Sequence, residues 1–324
     1  MTLSPISSMG MAVRLRQSRL CIQKMKDLDR VIYWVALHSV PGLGPVTYRR
    51  LLERFGDPRT VLLETSKRDL NSLPWLRYEL VKGIFNAKER LADIVNIVKI
   101  LTYNNIKVVT PAHRGYPSKI RMIKNAPVVL YIRGKYLKRD KKAVAIVGST
   151  RPSDKGYRIA VEAARRLAQK GATIVSGYAR GIDTAAHLGA METVQAGKPG
   201  RTIMVIPTGF DHFVWKATLR PYAHNSSRYS IISESFPNQE WSVGAALSRN
   251  RLIASLSDAV FVVETDVGGG AAHTFFHAKT LGRMTFALKY SKPPTSAMGN
   301  ESILSQGATP ISSFKDLDKI TAFL

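Results

Sequence analysis

The chain has 324 residues, 45% of them hydrophobic, and its only cysteine is Cys21. These values provide enough apolar side chains for about two globular domains, exclude a disulfide scaffold and are typical of a reducing, cytoplasmic compartment. The net charge is +25, from 48 Lys and Arg against 23 Asp and Glu, which favours a polyanionic partner such as nucleic acid. No window has the roughly 18 uninterrupted apolar residues of a membrane span.

Residues 1–24 are predicted to form a disordered basic arm. They contain Arg14, Arg16, Arg19 and Lys24 but no acidic residue. A second interpretation is that the natural chain starts at Met25, because helical periodicity begins directly after it.

Residues 25–105 are predicted to be all helical, because apolar residues recur there at helical spacing. The stretch Pro41-Gly42-Leu43-Gly44-Pro45 separates the first two helices. This arrangement resembles a helix-hairpin-helix, or SAM-like, domain, whose glycines and helix N-terminus would bind a phosphate through backbone amides. The alternative is a plain turn between packed helices.

Residues 106–324 predict an α/β domain with a parallel sheet covered on both faces, because short apolar runs alternate with helical patterns. The predicted strands are Val128–Ile132, Val144–Val147, Thr173–Ser176, Thr202–Ile206, Ser230–Ser233, Ala259–Val263 and Met284–Leu288. The predicted helices lie near 156–169, 181–195, 214–224, 245–256 and 271–280.

Polar and basic residues follow the predicted strands. In a parallel sheet these strand ends meet at one edge, where helix N-termini supply amide donors for ligands. Arg180 and Asp183 are expected to lie at this edge, as an ion pair that fixes the turn, as a ligand site, or as both. The glycine spacing after Val147 fits a phosphate site but not a dinucleotide fingerprint. The predicted binding residues are Gly148, Ser149, Thr150, Arg151, Ser176, Gly177, Arg180, Lys216, Arg249, Asn250 and Arg251.

A basic run covers residues 133–142, directly before the strand Val144–Val147. Such runs are usually solvated loops. A direct contact with nucleic acid is equally compatible with the pattern.

These motifs together resemble the DNA-processing protein A family, also called Smf. The resemblance covers about residues 28–324. Its most specific parts are Ser176-Gly177 followed by Ala179-Arg180-Gly181-Ile182-Asp183, and the helix segment Arg249-Asn250-Arg251-Leu252-Ile253. The chain departs from the family at Thr150, where the family has arginine, at Val214-Trp215 and at Gly268-Gly269-Gly270, so we expect a divergent member.

The resemblance implies an extended Rossmann-like fold that binds single-stranded DNA, frequently as a homodimer. It also implies transfer of the DNA to a RecA-type recombinase in transformation or recombination, with single-strand-binding protein as a further partner. It implies no catalytic activity, no cofactor and no membrane attachment.

The alternative function is a Rossmann-like nucleotide-binding enzyme or sensor related to phosphoribohydrolases. The triple glycine at 268–270 fits it superficially, but no glutamate follows in that motif, so Glu264 or Asp266 would have to substitute. His273 and His277 lie four residues apart without a nearby third ligand, so no metal site is expected. The third possibility is an interaction protein whose positive charge is incidental. Such a protein should bind single-stranded and double-stranded oligonucleotides with equal affinity.

Overall fold

The structure, a computed structural model, describes residues 31–195 and 197–322. The predicted basic arm at 1–24 and the alternative start at Met25 lie outside the described residues. The chain divides into two compact units between Asn104 and Asn105.

The first unit is helical in the part that the structure describes. Apolar side chains at helical spacing, among them Tyr48, Leu51 and Ile84, are buried in its core. The helices are α1 (31–38), α2 (Pro45–Phe55), α3 (Lys67–Asn71), α4 (Tyr78–Glu89) and α5 (Leu91–Tyr103), with one π-helical turn at Thr60–Glu64.

The predicted turn between α1 and α2 is present, and Gly42 adopts a φ of 77° there. The amide of Leu43 donates to the carbonyl of Val40, and that of Gly44 donates to the carbonyl of Gly42. These two amides are therefore bonded within the turn rather than offered to a ligand.

The second unit contains a nine-stranded sheet in the order β1-β2-β8-β7-β4-β3-β9-β10-β11, and a separate hairpin of β5 and β6. The strands of the sheet are β1 (Ile106–Val109), β2 (Leu130–Gly134), β3 (Ala143–Val147), β4 (Thr173–Ser176), β7 (Thr202–Val205), β8 (Tyr229–Ser233), β9 (Ala259–Val262), β10 (Met284–Leu288) and β11 (Thr309–Ile311). The hairpin strands are β5 (Val194–Gln195) and β6 (Lys198–Pro199). The helices are α6 (Ser118–Arg121), α7 (Asp154–Gln169), α8 (Ile182–Glu192), α9 (Val243–Leu256), α10 (Gly270–Thr280), α11 (Asn300–Ser305) and α12 (Leu317–Thr321).

Side-chain alternation along the central strands divides the core into two layers. Val144 and Ile146 of β3 pack with the alanine-rich faces of α7 and α8. Ala145 and Val147 of the same strand pack with α9 and α10 on the opposite face. The predicted α/β architecture, with a sheet covered on both faces, is confirmed.

The nine-stranded sheet differs from the sequence prediction in three details. The sheet is not wholly parallel, because β2 runs antiparallel to both β1 and β8. The edge strands β1 and β11 were not predicted, since each has only three or four residues and a weak apolar pattern.

The predicted helix at 214–224 is wrong. The described chain has only 3₁₀ turns at Phe210–His212 and Arg220–Tyr222 in this region. Pro221 has no amide hydrogen to continue a helix, and the chain here instead bonds to Tyr178.

Candidate functional site

The turn after β3 is held by Glu264, which follows β9. The Ser149 amide donates to the carbonyl oxygen of Glu264 at 2.6 Å. The buried carboxylate of Glu264 accepts hydrogen bonds from the Ser153 amide (2.8 Å), the Ser153 hydroxyl (2.6 Å), the Tyr290 hydroxyl (2.5 Å) and the Ser296 hydroxyl (2.8 Å). Its bonds to Ser153, which also caps α7, tie the start of this helix to the end of β9.

The turn after β4 closes over a buried pair of charges, Asp183 and Arg249. A side chain at Gly177 would collide with the Arg249 guanidinium, so only glycine leaves room for it. Arg249 donates to the Val205 carbonyl at 3.0 Å, and Asp183 accepts from the Ala179 amide at 3.2 Å. Burial lowers the pKa of Arg249 to about 10, so the guanidinium stays charged at neutral pH.

Burial raises the pKa of Asp183 above its usual value, although the Arg249 guanidinium opposes this shift. The expected partnership of Asp183 with Arg180 is wrong, because Arg180 is exposed and Asp183 interacts with Arg249. The sequence could not show which arginine contacts Asp183, because Arg180 follows a predicted strand, Arg249 lies on a predicted helix, and both were expected at the same edge of the sheet.

Tyr178 adopts a φ of 63°, a left-handed conformation that is rare for a residue with a large side chain. Its hydroxyl donates to the Val214 carbonyl at 2.9 Å and accepts from the Lys216 amide at 2.9 Å. The Lys216 Nζ lies 5.1 Å from the centre of the tyrosine ring. Burial lowers the pKa of Lys216, and Arg180 lowers it further while Asp183 opposes the shift.

His187 lies beneath this group and is fully buried. Its Nδ1 lies 2.7 Å from the Thr202 hydroxyl, whose single hydrogen is donated to the Ile174 carbonyl. Nδ1 must therefore carry the ring proton and donate it to Thr202. Burial, with Lys216 and Arg249 nearby, lowers the pKa of His187 to about 3, so the ring is neutral at physiological pH.

A cleft of about 260 Å³ opens between the turn after β3 and the starts of α9 and α10. One of its walls includes the indole of Trp241, whose exposed fraction is 62%. The sequence analysis missed this tryptophan, which precedes α9. The cleft is lined by Val147, Gly148, Ser149, Thr150, Ala179, Asp183, Trp241, Ala246, Leu247, Arg249, Asn250, Ile253, Thr265, Asp266, Gly269, Gly270, Ala271 and Thr274.

The structure brings some of the predicted binding residues together and separates others. Those that line the cleft are Gly148, Ser149, Thr150, Arg249 and Asn250. Ser176 and Gly177 are buried at the end of β4. Lys216 is half-buried, whereas Arg180, after β4, and Arg151, after β3, are exposed.

Arg251 is not brought to the cleft. It is buried and forms a two-pronged ion pair with Glu234, at 2.5 and 2.6 Å. Of the predicted binding residues on α9, Arg249 and Arg251 are therefore not in one group, because a helix directs side chains two positions apart to different faces.

Among the described residues, no group of three His, Cys, Asp or Glu side chains could hold a metal ion. In the same ranges, no helix has the length and apolar character needed to cross a bilayer.

Comparison with known proteins identifies the family. The family model of DNA recombination-mediator protein A matches residues 107–322. The chain belongs to this family. A relative from Synechocystis, Protein Smf, is 30% identical over 293 residues, covering 88% of this chain and 71% of the relative. The DNA processing protein DprA of Bacillus subtilis is 31% identical over 216 residues, covering 65% of this chain and 70% of the relative.

Two solved structures of family members are similar to this chain. DNA processing protein A from Streptococcus pneumoniae has a TM-score of 0.72 and 27% identity, covering 90% of this chain and 98% of that protein. The Helicobacter pylori protein, described for its single-stranded DNA binding mode, has a TM-score of 0.57 and 26% identity, covering 67% of this chain and 96% of that protein. The family model begins within β1, so it matches the second unit.

Proposed function

We propose that this protein binds single-stranded DNA along the carboxyl edge of its sheet and delivers it to a RecA-type recombinase. Membership in a family of recombination mediators supports this function, as does the similarity to the Helicobacter pylori protein with its single-stranded DNA binding mode. The strand would be protected while it is bound.

The observation that carries the proposal is the charge balance at the carboxyl edge. Two cations, Lys216 and Arg249, interact with one buried carboxylate, Asp183, and a third cation, Arg180, lies close enough to Lys216 to lower its pKa. The cluster therefore keeps a net positive charge, and its exposed member is available to a phosphate. A phosphate would replace the solvent that now screens Arg180 and Lys216.

Aromatic side chains next to these cations support binding of a single strand. Tyr178 lies under Lys216, and Trp241 is exposed on the cleft wall. Unpaired bases stack on such rings with little dependence on sequence, whereas a duplex keeps its bases stacked inside and is too stiff to bend into a small cleft.

We infer that the protein acts without catalysis of its own. Glu264, a carboxylate that a phosphoribohydrolase-like reaction would need, is buried and bonded to Ser153, Tyr290 and Ser296. It therefore positions the turn after β3 instead of facing a substrate. Asp266 is exposed on the cleft, and a nucleotide-hydrolysis assay tests whether it has a catalytic role.

The remaining parts of the proposal concern partners. A RecA-type recombinase would take over the bound strand, single-strand-binding protein would compete for it, and the protein would act as a homodimer in the cytoplasm. Acceleration of recombinase filament formation on DNA coated with single-strand-binding protein tests the mediator role, and light scattering tests the dimer.

The binding experiment compares a 20-nucleotide dT strand with a duplex of equal length by fluorescence anisotropy. The variant Arg180→Gln/Lys216→Gln should bind the strand at least about tenfold more weakly, and its slope of log affinity against log salt should be shallower by about 1.4. The matched control Lys67→Gln/Lys82→Gln removes two exposed charges of the first unit and should bind normally. Equal affinity of the wild type for strand and duplex contradicts the proposal.

A further inference from the structure

We propose that the opposite, amino edge of the sheet is a second binding surface for single-stranded DNA. Its centre is the amino-edge segment, residues 135–142, which leads from β2 into β3. The proposal rests on the proposed function only in taking single-stranded DNA as the ligand.

The amino-edge segment lies across the starts of several strands. At one end, the Lys135 carbonyl accepts hydrogen bonds from Arg201, before β7, and from Ser230 in β8. At the other end, the Lys141 carbonyl accepts from Lys119 at 2.6 Å, and Lys119 also bonds to Asp258 before β9. The backbone is thus fixed in place by the strand starts.

Basic residues directly precede four of the parallel strands. Lys142 precedes β3, Arg201 precedes β7, Arg228 precedes β8 and Arg283 precedes β10. Because parallel strands begin at a common edge, these positions form a row that the segment crosses.

The carboxylates that the segment contacts are already neutralised. Asp140 is fully buried and paired with Arg201 at 2.5 Å. Asp258 is paired with Lys119 at 2.6 Å. In contrast, Lys135, Lys138, Lys141 and Lys142, which we term the amino-edge lysines, are all exposed. The segment therefore presents four cations to solvent while its one acidic residue, Asp140, faces inward.

Nucleic acid fits this surface better than an anionic membrane does. The apolar side chains of the segment, Tyr136 and Leu137, are half-buried, and Tyr136 packs against the core. The segment thus offers little apolar surface for insertion into lipid, which strengthens a membrane contact beyond what charge alone provides.

The amino-edge lysines are separate from the carboxyl-edge site. The intervening strand β3 has five residues and is about 16 Å long at the usual rise per residue. One flexible strand of sufficient length can contact both edges, whereas a short oligonucleotide occupies only one.

The test measures binding of a 60-nucleotide dT strand to the full chain between 50 and 200 mM salt. The variant Lys135→Gln/Lys138→Gln/Lys141→Gln/Lys142→Gln should have a slope of log affinity against log salt that is shallower by up to about 2.8. The wild type should consequently lose about 50-fold more affinity than the variant over this salt range. A thermal melt checks that the variant folds. If it does not fold, the variant Lys138→Gln/Lys141→Gln replaces it, with half the expected change in slope.

The matched control is Lys67→Gln/Lys82→Gln/Lys88→Gln/Lys99→Gln, which removes the same charge from exposed positions of the first unit. If the slope of log affinity against log salt becomes equally shallow in the control, the proposal is overturned, because diffuse positive charge would then explain binding. An unchanged slope in the amino-edge variant also overturns it, as does binding of the wild type to phosphatidylserine vesicles but not to DNA.

The carboxyl-edge variant Arg180→Gln/Lys216→Gln, measured with the same strand, separates this proposal from the proposed function. If the carboxyl-edge variant loses affinity and the amino-edge variant does not, the second surface is overturned and the carboxyl-edge site is supported. A loss in the amino-edge variant alone supports the second surface and contradicts the carboxyl-edge site.

Discussion

Arg180 and Arg249 both belong to the charge cluster at the carboxyl edge, but only Arg180 is exposed to solvent. Arg180→Gln should weaken single-stranded DNA binding several-fold and leave the free energy of unfolding unchanged. Arg249→Gln should lower that free energy by about 3–5 kcal/mol, because Asp183 would keep a buried charge without its partner. Urea unfolding and anisotropy measure the two effects. Equal destabilisation by both substitutions would contradict this division of roles.

Trp241 is the exposed aromatic residue of the cleft, and its role should be binding rather than folding. Trp241→Ala should weaken dT binding by about 1–3 kcal/mol, or about 5- to 150-fold, through loss of base stacking. Trp241→Phe should retain most of the affinity. Val243→Ala is the control, since Val243 is similarly exposed, at 61%. If both alanine variants bind as the wild type does, no base stacks on Trp241.

His187 predicts a specific pH dependence of stability. The unfolded chain takes up a proton on this histidine near pH 6.5, whereas the folded protein does so only near pH 3, because the ring is buried beside Lys216 and Arg249. The free energy of unfolding should therefore fall by up to about 1.4 kcal/mol per pH unit below about pH 6.5. Urea unfolding of His187→Phe from pH 7 to 5 should lack this contribution. Parallel pH curves for both proteins would refute it.

The helix α7 begins at a turn whose geometry depends on Glu264 after β9. Glu264→Gln should lower the free energy of unfolding by about 1–3 kcal/mol, because charged hydrogen bonds to buried donors are weakened. Asp266→Asn, two residues away and exposed, should change it by less than about 0.5 kcal/mol. Thermal and urea unfolding compare the two variants. A larger effect of the Asp266 substitution would show that the turn is held in another way.

The elements with strong apolar patterns were predicted from sequence, and those without one were not. All seven predicted strands are present, with boundaries within two residues. In contrast, the stretch 214–224 has helical spacing but follows tertiary contacts, since the Tyr178 hydroxyl bonds to Val214 and Lys216. The spacing of apolar residues within a segment cannot reveal a hydrogen-bond partner that is 36 residues away in the chain.

At the scale of the whole molecule, the net positive charge is divided between the two units in proportion to their lengths. Residues 105–324 contain 31 Lys and Arg against 14 Asp and Glu, a net +17 of the +25 of the whole chain. A fragment of residues 105–324 should unfold cooperatively and bind dT strands within about threefold of the full chain, because it contains both proposed surfaces. Calorimetry and anisotropy measure these properties. A loss of more than about tenfold would assign a binding role to the first unit.

The sequence by itself determined the α/β class, the helical first unit, the family and the edge of the sheet where the candidate site lies. The class, the helical unit and the edge follow from periodicity, glycine positions and strand ends, and the family follows from the resemblance of short motifs; all of these are local properties of the chain. Only the tertiary structure decided which arginines are exposed, that Asp183 interacts with Arg249, that β2 is reversed and that the run 133–142 lies at the opposite edge from the cleft. Burial and charge pairing depend on residues that are distant in sequence, so no local pattern could specify them.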